Sequence, residues 1–193
     1  MKHILLITTG GTIASAAGAD GLVPTVSGER LLEHIPEVGT VCDISVTALF
    51  NLDSTNMRPE YWLKLAMKIR EEYHNYDGFV VTHGTDTMAY TAAALSYLVQ
   101  GSPKPIIITG AQKPINYHST DSKLNLMDAF VCACSDELSG VSIVFSGRVI
   151  LGTRARKTCS KSFAAFSSIN YPLLGMVQDG RLIPYIRPEV REE

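Results

Sequence analysis

The sequence predicts an α/β fold, a doubly wound, mostly parallel sheet with helices on both faces, because strand-like and helix-like segments alternate along it. Three observations carry this reading. Short continuous apolar runs occur at Ile4-Leu5-Leu6-Ile7, Phe79-Val80-Val81 and Ile106-Ile107-Ile108, as expected of strands covered on both faces. Between them lie stripes at helical spacing, such as Trp62, Leu65, Ala66, Ile69 and Tyr73. Several strand ends also carry glycine beside hydroxyl or acidic residues, and open parallel sheets bind ligands outside the carboxyl ends of their strands.

The first strand runs into Thr9-Gly10-Gly11-Thr12, where two glycines allow a sharp turn and close approach of a ligand to the main chain. Ser15 to Gly21 reads as a mobile surface loop. Ser27 caps a short helix holding Leu31, Leu32 and Ile35. Val41 to Leu52 alternates Ile44, Val46, Ala48 and Phe50 as a second strand, ending in the polar cluster Asn51 to Met57 with Asp53, Ser54 and Thr55. Pro59 suits the first turn of the next helix. The third strand ends in Thr82-His83-Gly84-Thr85-Asp86-Thr87, with Thr87 placed to cap a helix over Met88 to Val99. A fourth strand, Pro105 to Gly110, leads into Ala111-Gln112-Lys113 and then a helix with Leu126, Ala129, Phe130 and Ala133 on one face. Val141 to Phe145 is a fifth strand with Arg148 to Leu151 beside it, and Gly152 to Lys157 reads as a basic loop. Asp179-Gly180 between Met176-Val177 and Leu182-Ile183 predicts a hairpin. Right-handed connections then place the ends bearing Thr12, Ser54, Thr85 and Asp86 on one edge.

With 193 residues, 46% hydrophobic and 19% charged, the chain suits one globular domain with a short tail. A net charge of −2 and a pI near 6.2 give no basic face for nucleic acid. No apolar run approaches the roughly 20 residues that span a bilayer. The N-terminus passes straight into a strand without a signal-peptide pattern, so the cytoplasm is the expected location. Cys42, Cys132, Cys134 and Cys159 form no C-x-x-C, and the five histidines show no metal-ligand spacing; neither a metal nor an organic cofactor is expected.

The strand ends define a chemistry. A threonine hydroxyl is a weak nucleophile that needs a base or a charge beside it. A carboxylate such as Asp86 can hold a substrate ammonium group or orient a lysine, and main-chain N–H groups beside glycine can hold an oxyanion. The combination suits acyl transfer from a small charged amide. No dinucleotide or P-loop fingerprint is present.

The motifs Thr9-Gly10-Gly11-Thr12-Ile13-Ala14 and His83-Gly84-Thr85-Asp86-Thr87-Met88 together resemble those of the bacterial-type L-asparaginases, and the resemblance extends from about Lys2 to about Arg187. It implies that Thr12 is the acylated nucleophile and that Thr85, Asp86 and Lys157 supply a second threonine and an Asp–Lys pair. It also implies that Asp53, Ser54, Thr55, Gly84, Thr85 and Asp86 bind substrate, with Ala111 bordering the side-chain amide. The implied reaction converts L-asparagine, with L-glutamine as an alternative substrate, to the acid and ammonia through an ester on Thr12. Two departures stand out. The family carries a tyrosine in the loop after the first strand, where this chain has Leu22. The family's smaller C-terminal domain is missing: residues 1–187 match the N-terminal catalytic domain, and 188–193 read as a linker or tail. A homo-oligomer is expected. Two other readings remain: a non-catalytic amino-acid-binding or regulatory domain, and an amidotransferase subunit that hydrolyses an amide for a partner.

Overall fold

The structure, a computed structural model, describes residues 1–18, 21–24 and 26–186, with side chains for 1–15 and 26–186. Leu22's side chain and the proposed tail at 188–193 lie outside the described residues. Strand β1 (His3–Gly10) leads through a 3-10 turn (Thr12–Ala14) into a hairpin of β2 (Ser15–Gly18) and β3 (Gly21–Pro24). The segment read as a mobile loop thus holds a strand pair; its Ala and Gly residues hide the alternation that normally signals one. Helix α1 (Gly28–Glu33) is capped by Ser27, whose Oγ accepts from the Arg30 N–H. There follow β4 (Asp43–Leu52), α2 (Pro59–Glu72), β5 (Gly78–Thr82), α3 (Met88–Leu98), β6 (Pro105–Thr109), α4 (Ser122–Ala133) and β7 (Gly140–Phe145). The chain then turns back through β8 (Arg148–Leu151), a small pair β9 (Ala155–Lys157) and β10 (Phe166–Ser168), and a hairpin β11 (Gly175–Gln178) and β12 (Arg181–Pro184). Asp179 and Gly180, both at positive φ, make the tight turn expected of that hairpin. The stretch read as a basic loop instead ends in β9, where pairing with β10 fixes Lys157 opposite Phe166.

The eight-stranded sheet has the order β12-β11-β8-β7-β6-β5-β1-β4. Pairs from β4 to β7 are parallel, and those from β7 to β12 antiparallel. The five parallel strands follow the 2-1-3-4-5 order of doubly wound sheets, whose ligand crevice opens where the chain switches direction beside its first strand. Apolar residues run continuously because both faces are covered. Ile4, Leu6, Val80 and Ile107 pack with α1 and α4, whereas Leu5, Ile7, Phe79, Val81, Ile106 and Ile108 pack with α2 and α3. Each such side chain contributes roughly 1.5–3 kcal/mol on burial.

One connection departs from expectation. Helices α2 and α3 lie on one face as the chain steps from β4 to β6, but α4 lies on the opposite face while the chain steps the same way to β7. Connection β6–α4–β7 therefore has the opposite hand to β5–α3–β6, so the rule of uniform right-handed connections fails here. The loop of residues 110–121 makes this possible. It crosses the sheet's carboxyl edge, with Ile115 buried and its N–H donating to Ile13 O at 3.4 Å, and delivers the chain to the α1 side.

On α4, Asp128 is buried, and desolvation pushes its carboxyl up to about 6. A raised pKa means that the folded state prefers the protonated acid. The group's favourable contribution is present below the unfolded value near 4 and is lost as pH rises through about 6. Asp128→Asn should therefore stabilise the protein at pH 8, on the order of 2 kcal/mol. The gain should vanish near pH 4 in urea unfolding; an equal gain at both pH values would contradict this account.

Candidate active site

Three strand ends converge because glycines let their main chains approach. Gly10 ends β1 and Gly11 follows it, with φ of 101° and 83°. The Gly11 N–H donates to Leu52 O at 3.1 Å, tying the end of β1 to that of β4. A Cβ on Gly11 would lie 2.5 Å from the Gly84 nitrogen, and one on Gly84 would lie 2.5 Å from Ser54 Oγ. Neither position admits a side chain without moving main chain or the serine.

Each loop is then fixed by its own polar groups. Thr12 opens the 3-10 turn after β1, and Ser15 Oγ donates back to Gly11 O at 3.0 Å. After β4, Asp53 Oδ1 accepts from the Thr55 N–H at 2.9 Å and from Thr55 Oγ1 at 2.8 Å, and Ser54 is buried. Thr87, which the sequence places as the cap of α3, instead donates its hydroxyl to Ser54 O at 2.8 Å and braces the β4 loop. After β5, His83 is fully buried, and burial pushes its imidazole down to about 4. As the neutral ring it donates from Nδ1 to Gly84 O at 2.7 Å and accepts at Nε2 from Thr91 Oγ1 at 2.9 Å. That threonine oxygen accepts in turn from Trp62 Nε1 at 2.9 Å.

Lys157 reaches the same edge from β9. Its Nζ donates to Thr85 Oγ1 at 2.8 Å and Asp86 Oδ1 at 2.7 Å. Thr85 is buried, and the Asp86 side chain remains 60% exposed. A pocket of about 350 Å³ opens between the loops, lined by Gly11, Thr12, Ser15, Asp53, Ser54, Gly84, Thr85 and Asp86. Of the residues named from sequence, Thr12, Asp53, Ser54, Gly84, Thr85 and Asp86 meet in this wall. Lys157 stands behind Thr85 and Asp86, bordering a neighbouring hollow with Arg154 and Arg156. Thr55 is turned onto Asp53, and Ala111 is buried; neither lines the pocket. Sequence reading missed Gly11 as a wall residue, Ser15, and Gln112, which bonds to Thr85. The small-residue run after Thr12 concealed Ser15, and nothing local signals Gln112.

Hydroxyls and two carboxylates thus line a small pocket at a sheet switch point of an α/β domain, with the Lys157 ammonium behind them. The family model described as "Asparaginase, N-terminal" matches residues 3–189. The L-asparaginase of Thermococcus kodakarensis is 36% identical over 190 residues, which cover 97% of this chain and 57% of that protein. The solved structure of the thermostable L-asparaginase from Thermococcus kodakarensis superposes with a TM-score of 0.91 at 34% identity, covering 99% of this chain and 58% of that one. The structure described as the probable cytoplasmic L-asparaginase of Campylobacter jejuni gives 0.87 at 32% identity, covering 98% of this chain and 58% of that one. A glutamyl-tRNA(Gln) amidotransferase subunit of Methanosphaera stadtmanae is 38% identical over 191 residues, 94% of this chain and 43% of that protein. The chain belongs to the asparaginase family and corresponds to its N-terminal domain. It spans about half the length of the curated relatives it matches.

The His83 arrangement has a measurable consequence. Its folded pKa near 4 lies below the ordinary histidine value of about 6.5. Its contribution to stability is therefore full above pH 6.5 and lost as pH falls toward 4. Asp128 acts in the opposite sense over part of this range, so a site-specific readout is needed. Nitrogen-15 NMR should find His83 neutral and protonated on Nδ1 at pH 6, titrating only near pH 4; an imidazolium at pH 6 would contradict the buried relay.

Proposed function

We propose that this chain is the N-terminal catalytic domain of an L-asparaginase-type amidohydrolase, converting L-asparagine to L-aspartate and ammonia through an ester on Thr12. The observation that carries this reading is the Lys157 ammonium held on Thr85 and Asp86 at a pocket that also presents Thr12. In this proposal the substrate's α-ammonium sits against Asp86, whose Oδ1 already takes the lysine. Buried Ser54 receives the α-carboxylate, with Asp53 and Thr55 bracing its loop. Main-chain N–H groups of the glycine-flanked Thr12 and Thr85 hold the amide oxygen as negative charge develops on it. Thr12 Oγ gives up its proton as it adds to the amide carbon, the amide C–N bond breaks, and that proton passes to the leaving nitrogen, which departs as ammonia. Water then cleaves the ester. Among the described residues the Thr12 hydroxyl makes no side-chain hydrogen bond, whereas Thr85 makes two. The assembled group is thus the one suited to the water step.

A second reading is an amide-hydrolysing component of a larger amidotransferase, favoured by the likeness to the Methanosphaera stadtmanae protein. Glutamine is the substrate in that case. In either reading the protein works in the cytoplasm, a proposal supported by the description of the Campylobacter jejuni relative, and it assembles as a homo-oligomer.

An ammonia-release assay on L-asparagine tests the first reading. Release should exceed that of Thr12→Ala; equality with that control would refute hydrolysis. Release that appears only with a partner protein and L-glutamine would favour the second. Lys157→Met should lower kcat by about 100-fold or more. Asp86→Ala should weaken L-aspartate binding by about tenfold or more in calorimetry, whether or not turnover is seen.

A further inference from the structure

Gln112 carries no motif or periodic signal in the sequence, yet it is the residue through which two parts of the site meet. Its main-chain N–H donates to both oxygens of the Asp121 carboxylate, at 3.1 and 2.9 Å. Asp121 also accepts from the Lys113 N–H and from Asn125 Nδ2, whose other hydrogen bond goes to Gly110 O. The main chain of the loop after β6 is therefore held firmly. From it the Gln112 side chain reaches across the edge. Its Nε2 donates to Ser160 O at 3.0 Å and to Ser162 O at 3.1 Å, and its Oε1 accepts from Thr85 Oγ1 at 3.2 Å.

The amide can adopt only one orientation here. Two carbonyl oxygens face its nitrogen side, and only an NH₂ group offers two donors to them. A flipped amide would set an oxygen against both. Oε1 must then face Thr85, where it can only accept. Thr85 in turn has one proton and two lone pairs. Lys157 Nζ, holding Asp86 as well, donates to one lone pair. The proton goes to Gln112, and the second lone pair is left over on the hydroxyl of a residue that lines the pocket.

The geometry points to Gln112 as a positioning residue that fixes the hydroxyl rotor of Thr85, so that Thr85 meets the pocket as a hydrogen-bond acceptor and not as a donor. This rests on the amidohydrolase reading for its kinetic consequence. An acceptor at that point orients an attacking water by one of its protons and turns the water's own lone pair toward an ester on Thr12. Without Gln112, the Thr85 proton is free to swing into the pocket and compete for that lone pair. Gln112 does not line the pocket, so it acts on the chemical step and leaves substrate binding largely alone.

Two variants separate the proton-orienting role from simple loop support. Gln112→Met removes both functions at similar size. Gln112→Glu keeps an acceptor for Thr85 but sets its second oxygen against the carbonyls of 160 and 162, so it loosens that segment more than Met does. With Met, kcat on L-asparagine should fall by about tenfold while KM stays within about twofold. With Glu, kcat should stay within about threefold of the parent. In both, amide hydrogen exchange over residues 158–163 should accelerate, and at least as much with Glu as with Met. A kcat unchanged in Gln112→Met, or Gln112→Glu as slow as Gln112→Met, would overturn the proposal. Neutron diffraction from deuterium-exchanged crystals of the parent protein reads the Thr85 deuteron without any turnover. It should point to Gln112 Oε1, and a deuteron directed at Lys157 or into the pocket would overturn the proposal by itself. A parent protein that releases no more ammonia than Thr12→Ala would sink the amidohydrolase reading, while the deuteron position still decides this one.

Discussion

The site exists because main chains touch where side chains would normally keep them apart. Gly11 lies against the Gly84 main chain, and Gly84 against the Ser54 side chain, neither glycine having room for a Cβ. This contact draws the ends of β1, β4 and β5 into one crevice and sets the pocket's width. The positive φ angles at Gly10 and Gly11 are the local condition for it, since L residues with a Cβ rarely adopt them. Everything chemical at the edge is hung from this junction: Thr12 one residue beyond Gly11, Thr85 one beyond Gly84, and Ser54 clamped by Thr87.

The sheet around the junction was legible because burial on both faces leaves a simple signature. Ile4 to Ile7 and Phe79 to Val81 can hardly be anything but central strands, and their order along the chain suffices to place the glycine-rich ends together. The hairpins β2–β3 and β9–β10 were not legible. Ser15–Gly18 has no apolar alternation, and Ala155–Lys157 is a three-residue strand with two basic side chains. Lys157 is identified by family resemblance, since its partners Thr85 and Asp86 lie more than 70 positions away. Gln112 escaped for a related reason. Its partners stand 27, 48 and 50 positions off, and a single glutamine in a loop gives local pattern nothing to work on. The handedness of the α4 connection also lies beyond local pattern, because which face a helix takes depends on where the preceding loop can cross.

That crossing matters to the site. By running over the carboxyl edge, residues 110–121 bring Gln112 beside Thr85 and bury Ile115 beside the turn that carries Thr12. A helix on the commoner side would need no such path. The uncommon hand and the polar clamp on Thr85 are thus two aspects of one loop. The charges fit the same logic. The Lys157–Asp86 pair is half in solvent, with side-chain exposures of 18% and 60%, so it adds little to stability. Its effect is geometric: it leaves the lysine with a fixed direction toward Thr85.

Strand β1 sits at the middle of the parallel region, between β4 and β5. On a ribosome it is made before both neighbours, which begin only at Asp43 and Gly78. At about 5–20 residues per second, β5 is completed roughly 4–15 s after β1. Until β4 and then β5 follow, the nascent chain carries an apolar segment with open edges, a natural target for holdase chaperones and a point at which overproduction would drive aggregation.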